Sequence, residues 1–449
     1  MDKAEARRVF IRKMLAIGIP VVVQNLVGIG LNLIDTLMIG KLGEAELAAV
    51  GAANQIYFVF TVTLFGLFSG AAVYTAQYWG AKDIPSLKRI VGIDYAVCVS
   101  FAGVLTVASL LFAPQIIRLF SKDPAVIGYG AQYLRIVCLS YIINGISESI
   151  SYNARAVQML KVPTAINIAA LGMNVVLNYI LIFGKFGAPM LGVKGAALAT
   201  LIARTFECVA LLLYVYRKPG HPLAANFTEM WFSRRQFVRV MKTAIPVIVN
   251  EGSWAVSTAW IFAAYGILGT AALAVEQVAN VISDMLQTVF FGIGNATAVI
   301  IGESLGQKDR EKAYYYGQLS IVAVMIMNVV VTAVTYGVSW PVAAIYGFGP
   351  ETSELLIRTI QVMALLTTQK MLSYIFIVGI LRAGGDTFFC MVIELVCNML
   401  IALPLAYFSV LVLHTDLPMA MVIVASAEIV RIVFCWPRFH SRKWINIVT

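Results

Sequence analysis

The sequence predicts an all-α integral membrane protein: twelve transmembrane helices in two pseudo-symmetric six-helix bundles, a parallel repeat about an axis along the membrane normal. Three observations predict it. Of the 449 residues, 60% are hydrophobic and 12% charged, with a mean hydropathy of +0.85; a soluble chain carries about twice that share of charge. Apolar runs of about 20 residues, enough to cross roughly 30 Å of hydrocarbon, recur twelve times. The chain also repeats itself at an offset of 226 residues.

The first six spans fall at approximately 14–39, 47–76, 90–113, 130–153, 163–184 and 191–215, each an apolar run bounded by charged or Gly/Pro-containing turns. Six more follow at approximately 240–266, 272–302, 315–345, 354–381, 386–412 and 416–437. The repeat ties the sets together. "IPVVV" at 19–23 lies over "IPVIV" at 245–249, and "LGEAELAAVGAANQI" at 42–56 over "LGTAALAVEQVANVI" at 268–282. Gly66 meets Gly292, "GAKD" at 80–83 meets "GQKD" at 306–309, and Arg155-Ala156 meets Arg382-Ala383 with a slip of one. Shared hydrophobicity would align Leu with Val; it would not align Pro, Gly, Asn, Lys and Asp in one register. The expected domains are therefore a six-helix lobe at 1–216, a cytoplasmic linker at 217–239 and a second lobe at 240–449. Six is even, so both copies enter the membrane in the same direction and would enclose a central cleft able to face either side.

Lys and Arg set the orientation. One side holds the N-terminal basic cluster, Lys82, Lys88, Arg89, Arg155, Lys161, the linker, Lys308, Arg310, Lys312, Arg382 and the C-terminal cluster; the other holds Lys41, Arg118, Lys122, Lys185, Lys194 and Arg358. The richer side is expected to be cytoplasmic, with both termini there, in a plasma membrane of the bacterial inner-membrane type. The net charge of +10 is then topology and contact with anionic headgroups, not nucleic-acid binding. No cleavable leader is expected, because the first apolar stretch, at about 25 residues, exceeds a signal-peptide core. The six cysteines sit in apolar segments without CxxC spacing and read as small apolar residues.

Ionisable residues inside spans are expensive and face a bundle interior or a wet cavity. Arg204 with Glu207, and Glu428 with Arg431, are opposite charges three apart on one helix face and read as local structural pairs. Asp94, one turn into a span, reads as interfacial, and Glu148 and Glu394 are weaker candidates. Glu251 lies about nine residues, roughly 13 Å, into the seventh span, with no basic residue within a turn and with Asn250, Ser253 and Trp254 around it. A lone acid at that depth calls for a proton, a sodium ion or a cationic ligand. Asp35 lies about one turn from the outer end of the first span, and the fifth supplies Asn174 and Asn178 one turn apart; if those helices touch, an acid and two amides form a polar pocket. Glu276 and Asp284 are eight apart on one face with Asn280 between them, and Asn280 is the repeat mate of Asn54. Lys370, beside Gln369, is a candidate counter-ion to one of these acids. Asp35 aligns with Ile261 and Glu251 with Asn25: the scaffold is duplicated and the acids are not.

No GxxxxGK[ST] phosphate loop, HExxH or GxSxG motif occurs, and His221, His414 and His440 lie in or beside loops. An enzyme is not expected, nor a cofactor or a resident metal; a channel would want a short re-entrant filter segment. What remains is secondary transport by a monomer.

Together and in order, "IDTLMIGKLG" at 34–43, the paired "GAKD" and "GQKD" loops, "ARA" at 154–156, "NVVLNYILIFG" at 174–184 and "LRAGGDT" at 381–387 resemble the multidrug and toxic compound extrusion (MATE) transporters over nearly the whole chain. The resemblance implies export of organic cations, often aromatic, in exchange for protons or sodium by alternating access. By motif, Asp35, Asn174 and Asn178 resemble the family's N-lobe site, which binds the coupling ion or is protonated, and Glu251 resembles a seventh-helix Glu used for coupling or drug binding. Sodium could sit at Asp35 or Glu251. Asn178 stands where some members carry an acid, and the tenth span lacks a deep acid, so proton coupling is the preferred expectation. A lipid-linked saccharide flippase of similar two-lobe design is the alternative; it would want a cationic cavity for its diphosphate.

Overall fold

The computed structural model describes residues 3–448; residues 1–2 and 449, the outermost of the two expected halves, lie outside the described residues. The described chain is helical and contains no strand. In order it forms α1 (Lys3–Gly40), α2 (Glu44–Gly80), α3 (Ile84–Arg118), α4 (Pro124–Val137), α5 (Ser140–Ala156), α6 (Lys161–Phe183), α7 (Val193–Arg217), α8 (Arg234–Gly266), α9 (Thr270–Gly306), α10 (Arg310–Tyr346), α11 (Pro350–Tyr374), α12 (Thr387–Leu395), α13 (Leu403–Leu411) and α14 (Leu417–His440). Two π-helical stretches interrupt the later helices: Ile375–Leu381 continues α11, and Val396–Ala402 joins α12 to α13.

Among the described residues, ten of these rods are long and apolar enough to cross a membrane, and α4 with α5, bent by 50° at their break, make an eleventh. The remaining expected span corresponds to α8, whose interior carries Asn250, Glu251, Ser253, Ser257 and Thr258; this polar load is why it lacks the apolarity of the rest. The ends of α1 and α2, at 38 and 37 residues, must project beyond the hydrocarbon, since about 20 residues suffice to cross it.

The repeat is built into the geometry. In both "GAKD" and "GQKD" the Lys is left-handed, Lys82 at φ 59° and Lys308 at φ 61°. In both, the following Asp caps the next helix: Asp83 accepts from Ser86 N at 3.1 Å and Asp309 from Lys312 N at 2.9 Å, each satisfying an otherwise unpaired N-terminal donor. Just before these turns, α2 and α9 touch backbone to backbone. A Cβ on Gly80 would collide with the Glu303 carbonyl, and one on Gly306 with the Gln77 carbonyl. Gly80 and Gly306 are repeat mates, and so are Gln77 and Glu303, so the contact is reciprocal. Overpacking of a tight contact costs about 1–3 kcal/mol and more when backbone must move. Gly80→Val and Gly306→Val are each expected to lower the thermal midpoint by several degrees, read by unfolding in detergent; an unchanged midpoint in both would mean this crossing does not hold the two helices together.

The chain packs into two compact units. One gathers the chain up to Val22, Ala76–Lys82 and the chain from Met241 onward. Its C-terminal tail is clasped by one amide: Gln77 Nε2 donates to the Asn446 carbonyl at 2.9 Å, and Gln77 Oε1 accepts from Val448 N at 2.8 Å. The other unit holds Val23–Thr75 and Asp83–Val240. There the stretch after α7 lies against α3, through Lys88 Nζ to Glu229 at 2.8 Å and the close approach of Met230 to Gly92.

Candidate functional site

In the unit holding Val23–Thr75 and Asp83–Val240, α6 turns one stripe inward: Thr164, Asn167, Ala170, Asn174, Asn178 and Ile182. The spacing of three and four is the helical period, so both amides emerge on the same side. Asn178 Nδ2 donates to Asp35 Oδ1 at 2.7 Å. The Asn174 amide is satisfied at both ends when its nitrogen donates to Asp35 Oδ2 at 2.8 Å and its oxygen accepts from Thr200 N at 3.3 Å. Asp35, half-buried, thus receives one amide N–H on each oxygen, a cradle for a carboxylate. Asn178 Oδ1 is buried without a partner. The acid and two amides meet as their spacing suggests. Thr200 of α7 was not singled out by sequence; its only signal is a hydroxyl on an apolar helix.

In the other unit Glu251 does not stand alone. Arg382, 2% exposed, donates from Nη2 to Glu251 Oε1 at 2.7 Å. That corrects the reading of an uncompensated acid. The expected polar surroundings are altered too. The Ser253 hydroxyl donates to its own helix at the Asn250 carbonyl, 2.8 Å, and Trp254 is 48% exposed. Arg382 follows directly on the π-helical Ile375–Leu381, a widened turn of the kind often found at functional positions. The second π-helical stretch carries Asn398, whose Nδ2 donates to Glu394 at 2.9 Å and whose Oδ1 accepts from Arg431 at 2.7 Å. Arg431 also bonds Glu428 at 2.6 Å and lies 3.4 Å from Glu394. The buried charges of α8, α12 and α14 thus form hydrogen-bonded clusters.

Glu276 is buried, and its Oε1 accepts from Asn280 Nδ2 at 3.0 Å. Asp284 lies two turns along α9 and is exposed; Lys370, also exposed, is on α11, which packs against α9. Asn54, the repeat mate of Asn280, is exposed; the residue matching Glu276 in the first half is Val50, so the Asn is duplicated without the acid.

The local pairs are present, Arg204 to Glu207 at 2.8 Å and Arg431 to Glu428 at 2.6 Å, and Asn167 adds a 2.7 Å bond to Glu207. Arg204 and Arg431 are 227 residues apart, the offset of Arg155 and Arg382, a signal that could have marked them as one repeated position. Asp94 is not interfacial but 1% exposed. Asn153 donates to it at 2.8 Å and accepts from Thr75 Oγ1 at 2.8 Å. Among the described residues no group of three His, Cys, Asp or Glu side chains is arranged to hold a metal ion.

Comparison with known proteins places this geometry. The MatE family model matches residues 20–180 and 246–408, one block in each copy of the repeat. The chain is 27% identical over 418 residues to a probable multidrug resistance protein NorM of Bradyrhizobium diazoefficiens, covering 90% of this chain and 87% of that protein. It is 25% identical over 413 residues to the multidrug resistance protein MdtK of Edwardsiella ictaluri, covering 88% and 87%. Its fold matches a crystal structure of the Vibrio cholerae MATE transporter VcmN with a TM-score of 0.89 at 17% identity, over 97% of this chain and 98% of that one. The chain belongs to the MATE family of multi-pass membrane transporters.

Proposed function

We propose that the protein is a secondary multidrug efflux transporter that exports organic cations in exchange for protons by alternating access. It would do so from a bacterial inner membrane with both termini in the cytoplasm and with lobes at 1–216 and 240–449. The observation that carries this is the cradle around Asp35: an amide N–H on each carboxylate oxygen and, beside it, a buried Asn178 oxygen with no partner. The anion is held by two donors. When a proton arrives, one oxygen becomes a donor itself, one amide N–H loses its acceptor, and the Asn178 oxygen is the acceptor at hand. The exchange favours rotation of the Asn178 amide and a shift of α1 on α6. A proton taken from outside thus neutralises the acid, lets the helices repack and releases the cation outward; loss of the proton inside restores the charge that attracts the next cation. Coupling is assigned to Asp35, Asn174 and Asn178, and cation binding to Glu276, Asn280 and Asp284. Glu251, ion-paired with Arg382, holds its helix in register with the π-helical turn. No cofactor takes part beyond the coupling ion.

The multidrug resistance names of relatives with 25–27% identity support the substrate class, and the Lys/Arg asymmetry of the loops supports the orientation. Efflux of ethidium from proteoliposomes tests the reading. Ethidium is expected to move against its gradient when protons are supplied on the opposite side and to stay put under a sodium gradient alone. Efflux driven by sodium at constant pH would transfer the coupling role from the proton to sodium.

A further inference from the structure

The chain between α7 and α8 is a rigid mount rather than a slack connection. Leu223 and Ala225 are buried, and the Tyr216 hydroxyl donates to the Ala225 carbonyl at 2.9 Å. Asn226 N donates to Glu229 Oε2 at 2.8 Å, and Glu229 N and Met230 N donate back to the Asn226 carbonyl at 3.0 and 3.1 Å, closing a tight turn. Two contacts fasten this turn to α3. Lys88 Nζ donates to Glu229 Oε1 at 2.8 Å, and one helical turn deeper Met230 lies so close to Gly92 that a Cβ there would strike the Met230 carbonyl. Gly92 falls inside the apolar run that begins near residue 90, so the turn dips to the level at which the third span leaves the headgroups.

What the mount holds outward is aromatic. Phe227 and Trp231 are 81% and 73% exposed, with ring centroids 6.5 Å apart. Rings at this depth suit the membrane interface, where an apolar body meets the acyl chains and an indole N–H meets water. The charges around them are positive. Arg89 is exposed three residues before Gly92, on the same face of α3. Ser233 N donates to Gln236 Oε1 at 3.0 Å and Gln236 N to Ser233 Oγ at 3.2 Å, a reciprocal cap that starts α8 at once. Exposed Arg234 and Arg235 therefore follow Trp231 by three and four residues, at most ~14 Å of chain. The one acid of the linker, Glu229, is already paired with Lys88.

We infer that Phe227 and Trp231, with Arg89, Arg234 and Arg235, form a docking surface for anionic phospholipid, the rings entering the headgroup zone and the guanidinium groups holding the phosphates. Charge selects the occupant. A zwitterionic surface would accept the rings but leave the arginines without net counter-charge, whereas each Lys or Arg near an anionic surface strengthens binding about fivefold. The surface takes no part in coupling or cargo binding, so it stands independently of the transport reading.

Trp231 reports on the contact itself. The full chain is placed in nanodiscs of phosphatidylcholine and phosphatidylglycerol, with one lipid or the other brominated on its acyl chains, because bromine quenches a nearby indole. Subtracting the signal of Trp231→Phe, which keeps an aromatic ring, isolates Trp231 from the other tryptophans. Trp231 is expected to be quenched by both lipids and, at equal shares, more strongly by brominated phosphatidylglycerol. Arg234→Gln with Arg235→Gln is expected to lower the preference for phosphatidylglycerol about twentyfold, the product of two such charges, with an unchanged thermal midpoint. Arg234→Lys with Arg235→Lys keeps the charge and the preference. Emission from Trp231 untouched by either brominated lipid would put the rings away from the bilayer, on a surface for another protein, and overturn the inference. Equal quenching by the two lipids in the unmodified chain would overturn it as a site for anionic lipid.

Discussion

Asp35→Asn is expected to reduce proton-driven efflux by about a hundredfold or more while leaving a folded protein. The side chains are nearly isosteric, so the packing of α1 on α6 survives. What changes is the hydrogen-bond sense: the carboxylate accepts from Asn178 on one oxygen and Asn174 on the other, whereas an amide accepts at one end only and donates at the other. One of the two amides must turn, and the unpartnered Asn178 oxygen gives it somewhere to turn. The rearrangement costs roughly one hydrogen bond, about 1 kcal/mol, which a folded protein tolerates. Titration does not survive, because the new group holds no exchangeable charge. Proteoliposome efflux under an imposed pH gradient, with the thermal midpoint measured alongside, separates the two effects. Full coupled efflux would move the proton elsewhere, and Asp94, buried with one oxygen unpartnered, would be the next place to look.

Arg382→Met should produce the largest loss of stability. Arg382 is buried, and its partner Glu251 has a side chain only 15% exposed. Removing one member of a buried ion pair leaves the other charge uncompensated, a cost of about 3–5 kcal/mol. Replacing both members with groups of similar volume is often close to neutral, so Glu251→Gln with Arg382→Met should recover most of the stability lost in the single variant. Thermal unfolding in detergent reads both. If Arg382→Met alone unfolds at the midpoint of the unmodified protein, the ion pair is not what holds α8 to the π-helical turn.

The Asp35 cluster was legible because every cue is local. Asn174 and Asn178 are one turn apart, and both fall on the buried stripe of α6 that begins at Thr164. An acid near the end of a neighbouring apolar run supplied the third member. Arg382 was not legible as the partner of Glu251, for two physical reasons. It is 131 residues away, and it reads as a loop cation next to the glycines of "LRAGGDT". The π-helical turn before it adds an extra residue per turn, which shifts its side chain off the face that α-helical spacing predicts. Asn54 shows the opposite case: the repeat carries the residue across both halves, but Val50 stands where Glu276 would be. The duplication is reliable for scaffold, as the capped turns at Asp83 and Asp309 and the reciprocal glycine contact attest. For chemistry it is a poor guide, because the acids belong to one half each. The span at 240–266 was legible in the sequence and is α8, although the polar residues in its interior leave it less apolar than the other spans.

Proton release on substrate binding tests the central claim most directly. Adding ethidium to the purified protein in weakly buffered solution, near the pH at which Asp35 is half protonated, should expel protons in proportion to dye bound. The release should approach one per dye as the starting protonation approaches one, and should vanish in Asp35→Asn. Equal release from Asp35→Asn and the unmodified protein would contradict the account, because the proton exchanged for cargo would then reside on another group.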